Sequence, residues 1–275
     1  MATETPERLR AWEPVTPIGV AAFSRARWWR LWVAQLLVAI LAAAAVIWFL
    51  EQWWFPVVRS AIAQLPEEGE ILDGKLDWSG ISPTNLAENH YLGFSLDLTH
   101  SGNLERISQI QVEFGLSEAR IRLLPGYTVI KYPAGWRMAF NRKELAPLWG
   151  AWEPMLAAGA ALGTLLGLLI SWHALATVYC GLVKLIALYA NRDLTWWQAW
   201  KLSAAALLPG ALFLTFGICV YGITAMSLAQ LAVVWGLHLV AGWIYLVVSP
   251  MFLPRHGEAP RAGNPFDSKR PKPNG

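Results

Sequence analysis

Two histidines interrupt long apolar runs, His173 in the stretch from Pro154 to Val183 and His238 in Leu228–Phe252. Imidazole titrates closest to neutrality of all side chains, so in an apolar run it can relay a proton or ligate a metal ion. Neither run supplies a carboxylate partner. At ~1.5 Å rise per residue, His238 falls near the middle of its run and His173 toward the far end of its own, an offset of ~15 Å that does not make a pair. The simpler expectation for each is a neutral ring hydrogen-bonded to a neighbouring helix. Phosphate-binding glycine loops, an H-E-x-x-H zinc pair and a G-x-S-x-G elbow are all missing. Cys180 and Cys219 lack CxxC spacing and read as free buried thiols. Asp73, Asp77 and Asp97 would suit calcium only if their strands were adjacent; solvated charge on the wet face of strands is the plainer reading. No catalytic residue, metal or cofactor is therefore expected.

One further spacing concerns packing. Gly159, Gly163, Gly167 and Ser171 recur every four residues and share one side of a helix, a groove free of large side chains. Such a groove admits a close neighbour, either the first or third helix of the same chain or a second copy in a homodimer. Ala39, Ala42, Ala43 and Ala45 of the first helix are the intramolecular candidates.

The elements carrying these residues follow from composition. Of 275 residues, 55% are apolar and 15% charged, and the apolar ones are clumped. Spans of about 20 nearly uncharged residues, enough to cross a ~30 Å hydrocarbon core, occur at 31–50, 154–190, 202–224 and 228–252. The fold class expected is an α-helical integral membrane protein of four transmembrane helices. The first span is preceded by about thirty residues and runs past its alanines, which predicts an uncleaved signal anchor. The stretch 154–190 is too long for one crossing and too short for two. One crossing with a cytosolic or interfacial extension is expected, a fifth helix being the alternative.

Orientation follows from charge. Residues 1–30, 184–201 and 255–275 carry net +2, +2 and +3, and 51–153 carries −4. An even number of crossings with both termini cytosolic satisfies the positive-inside rule. Many of the seventeen tryptophans cluster at span ends, where amphipathic indoles anchor at the headgroups. The mild excess of positive charge then belongs to the lipid surface and not to nucleic acid.

Between 64 and 149 the periodicity becomes two. Leu72, Gly74, Leu76 and Trp78 alternate with Asp73, Lys75 and Asp77; Phe94, Leu96 and Leu98 with Ser95, Asp97 and Thr99; Ile110, Val112 and Phe114 with Gln109, Gln111 and Glu113; Ala119, Ile121 and Leu123 with Arg120 and Arg122. About five mostly antiparallel strands are expected, forming a small β-rich extracytoplasmic domain between helices 1 and 2. The cover should come from Trp53–Leu65 and Arg142–Trp152. After Pro254 the chain is rich in Pro, Gly and charge and should be disordered.

Three segments carry a family resemblance: Pro66-Glu67-Glu68-Gly69-Glu70-Ile71-Leu72-Asp73-Gly74-Lys75-Leu76, Phe94-Ser95-Leu96-Asp97-Leu98-Thr99-His100-Ser101-Gly102 and Asp193-Leu194-Thr195-Trp196-Trp197-Gln198-Ala199-Trp200-Lys201-Leu202-Ser203. Over roughly residues 30 to 250 the chain resembles an uncharacterised family of bacterial multi-helix membrane proteins, itself distantly similar to the Yip1-type proteins. The resemblance implies this architecture in the bacterial cytoplasmic (inner) membrane and imports no mechanism.

The function expected is that of a non-enzymatic envelope or scaffold protein whose outer domain binds a partner protein or envelope ligand, with the lipid bilayer and a homodimer as further partners. A small transporter or transporter subunit is the alternative, and a continuous polar cavity reaching His238 would favour it.

Overall fold

The computed structural model describes residues 13–102, 107–123 and 126–255. The expected disordered tail lies almost wholly outside them. Helices in chain order are α1 (Pro17–Phe23), α2 (Trp28–Phe49), a π-helical segment (Leu50–Trp54), α3 (Phe55–Ala63), α4 (Arg142–Tyr189), α5 (Trp196–Ala206), α6 (Leu208–Gly222) and α7 (Leu228–Val248), ending in a 3-10 turn at Ser249–Phe252. Eight strands stand between α3 and α4: β1 (Glu70–Leu72), β2 (Lys75–Asp77), β3 (Thr84–Glu88), β4 (Leu92–Leu96), β5 (Ile110–Phe114), β6 (Glu118–Leu123), β7 (Gly126–Lys131) and β8 (Arg137–Ala139).

Among the described residues, four helical stretches are long and apolar enough to cross a membrane: Trp28–Ala63, Arg142–Tyr189, Trp196–Gly222 and Leu228–Phe252. The first three begin before their apolar windows, and the fourth coincides with its own. The puzzling stretch after Pro154 resolves as part of one 48-residue helix, α4, of ~72 Å. Asn141 starts it, its Oδ1 accepting from the Glu144 N–H at 2.9 Å and its Nδ2 donating to the Glu144 carboxylate at 3.2 Å. Between α5 and α6 stands Leu207, followed by Pro209, which has no N–H to continue the ladder.

The described chain divides into two compact units. One holds residues 13–38, 168–211 and 237–255, the other 39–167 and 212–236. In the first unit α5 opens on a capping box, Thr195 accepting from the Gln198 N–H while Gln198 accepts from the Thr195 N–H. Its Ala199, Ala204, Ala205 and Ala206 are completely buried, and α1 packs against it. Lys201 Nζ donates to the Ala26 carbonyl at 2.8 Å, and Arg192 caps the chain's return through the Leu253 carbonyl.

In the second unit the strands form two sheets, β2-β1-β8 and β3-β4-β5-β6-β7, antiparallel except for the parallel pair β4 and β5. Eight strands thus replace the five expected. The run from Leu72 to Trp78 is not one strand, since Asp73 and Gly74 take φ of 50° and 76° and turn it into the β1–β2 hairpin. The core joins Ala61 and Leu65 after the π segment to Ile71, Leu76, Leu86, Leu96 and Phe140, with Leu145 of α4 packed against it. Both anticipated segments therefore supply the cover.

A parallel pair needs a crossover, and here a carboxylate holds each end of it, Asp97 just after β4 and the half-buried Glu88 at the approach to β5. Asp97, expected on a wet face, is 1% exposed. Its oxygens accept from Thr99 N–H and Oγ1, Ser101 Oγ and Gly102 N–H at 2.9–3.2 Å. Desolvation pushes its pKa up, but these donors together outweigh it and hold the carboxyl below the ordinary value. Glu88 repeats the device, accepting from the Ile107 and Ser108 N–H groups at 2.8 Å each. There too the donors overcome desolvation and depress the pKa. Asp73 and Asp77 are exposed, as the plainer reading had them.

Candidate functional site

Gly159, Gly163 and Gly167 are exposed, and a Cβ added at any of them would meet no atom within 4 Å. Ser171 bonds its own helix, donating to Leu168 O at 2.9 Å. The groove therefore has no partner among the described residues of its own chain. The buried positions of α4, Trp172, Ala176, Val183 and Ala187, all follow the groove.

His173 Nδ1 lies 2.6 Å from the Leu169 carbonyl, which can only accept, so Nδ1 carries the proton. The bond is to its own helix and not to a neighbour. Its ring lies 4.7 Å from Trp32 and 5.4 Å from Trp200. Trp28, Trp197 and Trp200 stack on one another at 5.0–5.5 Å, so these span-end indoles are packed together as a cluster. His238 is half-buried, and its main-chain carbonyl lies where Gly210 lets α6 approach α7.

A different region has the shape of a site. Pro56 cannot donate to the carbonyl four residues back, and just before it the helix loosens into the π segment, with Phe55 N–H bonding Leu50 O five residues back. Such insertions are enriched at functional sites because they re-aim side chains. Along the face running from Leu41 through Ala45, Trp48, Gln52 and Phe55 to Arg59, two pockets adjoin. The first, about 360 Å³, is lined by Leu41, Ala44 and Trp48 with Leu212, Phe216 and Cys219 opposite. The second, about 450 Å³, is lined by Trp48, Glu51, Gln52 and Arg59 with Glu153 and Pro154 of α4 opposite. Trp48 belongs to both, and its ring lies where a Cβ on Gly222 would stand, 2.4 Å from its Cζ3. Arg59 and Glu153 pair at 3.6 Å; among the described residues Glu51 has no ion-pair partner.

The β-domain is tied to this region by polar side chains. Asn89 Nδ2 donates to the π-segment carbonyl of Trp53 at 2.7 Å, while its Oδ1 accepts from the Tyr91 and Leu92 N–H groups. Tyr91, completely buried, donates its hydroxyl to Tyr221 O at 2.6 Å and accepts from the Thr224 N–H at 3.1 Å. Burial pushes its pKa up and the Thr224 N–H pulls it down; the net shift is upward. Gln109 Oε1 accepts from the Tyr221 hydroxyl and from the Leu228 N–H, and its amide donates to His90 Nε2. Sequence reasoning missed these contacts. Glu51, Arg59 and Glu153 had counted only as flanking charge, and the one available signal was Pro56 inside an otherwise helical run.

On the opposite edge of the larger sheet, β7 pairs only with β6 and every residue of it is exposed. Tyr127, Val129 and Ile130 are 63%, 39% and 50% exposed. Because the Tyr132 N–H bonds Ser117 O, period-two alternation turns the N–H groups of Tyr127, Val129 and Lys131 outward. No family model, curated protein or solved structure matches the chain.

Proposed function

We propose that this chain is a multi-pass protein of the bacterial cytoplasmic membrane, both termini cytosolic, which works without catalysis by holding a partner of the cell envelope on its extracytoplasmic β-domain. The observation that carries the reading is β7, an open edge of six exposed residues rich in β-branched and aromatic side chains. Soluble proteins blunt such edges because they template strand addition, and an edge left open is the surface that β-augmentation uses. The membrane part of the reading is supported by the four spans. In the most apolar windows of α4 and of Leu228–Phe252 only 6% and 11% of residues are buried, leaving an apolar surface that water would not tolerate.

Insertion and orientation are tested by single cysteines at Ser79 and Asp193, both exposed, in a chain with Cys180 and Cys219 replaced by serine. A membrane-impermeant maleimide is expected to label Ser79→Cys in intact cells and Asp193→Cys only after permeabilisation. Equal labelling in intact cells contradicts the topology.

The edge is tested by a photoreactive side chain at Tyr127 in the full-length membrane-embedded protein. A defined adduct is expected, and Val129→Pro, which removes an outward N–H without touching the β6 ladder, should reduce it at least about tenfold. An adduct indifferent to Val129→Pro, or none at all, rules against strand addition.

A further inference from the structure

We propose that the helix face from Leu41 to Arg59 binds one amphiphile with a hydrocarbon chain and a zwitterionic, ammonium-bearing head, the chemistry of an aminophospholipid. The inference rests on the membrane-spanning reading, which places such molecules beside the face. Its two pockets differ in kind and share a wall. The apolar one, of about 360 Å³ against Leu212 and Phe216, suits a chain; the charged one, of about 450 Å³, suits a head. Both fall in the size range of small-molecule sites. Trp48, common to the two, is an indole where chain gives way to head, the position that ring prefers at a bilayer boundary.

Charge selects the head. Glu51 and Glu153 oppose one guanidinium, Arg59, so the pocket is net negative. An acidic head with no cation is repelled. A zwitterionic head offers its ammonium to Glu51, which has no ion-pair partner among the described residues, and its phosphate to Arg59, whose 3.6 Å contact with Glu153 is too long for a strong hydrogen bond. The Asn89 bond to the Trp53 carbonyl fixes the π segment, and with it Glu51 and Gln52.

The test uses the full chain, purified in detergent and delipidated, titrated in native mass spectrometry with phosphatidylethanolamine and phosphatidylglycerol of identical chains. Wild type is expected to bind phosphatidylethanolamine about tenfold more tightly, the difference a charge-assisted contact makes. Glu51→Gln should erase the preference, and Ala44→Phe, which fills the chain pocket, should weaken both lipids. Ala44 and Glu51 are exposed, so neither change disturbs the core. Equal binding of the two lipids to wild type, or phosphatidylethanolamine binding untouched by Glu51→Gln or by Ala44→Phe, overturns the proposal. A chain released from membranes by alkaline carbonate instead refutes the membrane reading, and the Tyr127 adduct reports separately on the partner.

Discussion

Tyr91→Ala is expected to lower the stability of the β-domain by about 3–5 kcal/mol, the scale for removing a buried aromatic ring. The ring is completely buried among Phe49, Trp53 and Tyr221 at centroid distances of 4.9–5.3 Å. Its loss also leaves Tyr221 O and the Thr224 N–H without their bond to the phenol. Hydrogen exchange of the full chain in detergent reads the result: amides of β4, β5 and residues 223–228 should lose protection together. Tyr91→Phe keeps the ring and should cost about 1–3 kcal/mol, the penalty for buried groups left unpaired. The same hydroxyl sets a pH dependence. Its folded pKa is raised above the ordinary 10.0, so its contribution is complete below pH ~10 and is lost as pH rises through the folded value. Tyr91→Phe should shrink this alkaline loss without abolishing it, because Tyr132, bonded to Gly115 O, is likewise raised by burial. Protection unchanged in Tyr91→Ala would show that the tyrosine does not fasten the domain.

The four long apolar helices are legible because a nearly uncharged run of about 20 residues reads as one helix, the form that pairs every backbone group within the segment. The strands are only partly so. Alternation locates β5 and β6, yet the wet faces it implies for β4 and β5 are absent, since Ser95, and Asp97 just after β4, are both 1% exposed and Gln111 and Glu113 are 4% and 6% exposed. Alternation cannot distinguish polar residues facing water from polar residues buried with their own donors, and Asp97 is the second kind. The Asp73-Gly74 turn has the residues of a tight hairpin, but Leu72, Leu76 and Trp78 keep the period of two across it and mask it. The pocket has a single signal in the sequence, Pro56. It depends on a one-residue insertion at Leu50–Trp54, which turns the following side chains by about 100° relative to an unbroken helix. Before the structure, Glu51, Arg59 and Glu153 were three separated charges.

Glycines in the helices divide by what their missing Cβ would touch, and this reverses the ranking that spacing suggests. Gly210 stands alone in sequence, yet a Cβ there would lie 2.4 Å from the His238 carbonyl oxygen and 3.6 Å from the Gly242 nitrogen. Both are backbone atoms, so the only relief is for α6 and α7 to move apart. Gly242 answers from the other side, its own Cβ position 3.5 Å from Leu207 and 3.8 Å from the Ala206 carbonyl. Close backbone approach of this kind is how helices hold together in lipid, where exclusion of water contributes nothing. Gly210→Ala is expected to destabilise by about 1–3 kcal/mol of overpacking, even though alanine is the better helix former by about 1 kcal/mol. Gly163→Leu inserts a far larger side chain where no atom lies within 4 Å. The stability of its monomer should therefore stay within about 0.5 kcal/mol of wild type, as for an exposed substitution. Thermal unfolding of both variants in one detergent, with the protein mass measured alongside, checks the pair. If Gly163→Leu instead loses as much as Gly210→Ala while both wild type and variant are monomeric, the row at Gly159, Gly163 and Gly167 is packed against its own chain and the open groove is wrong.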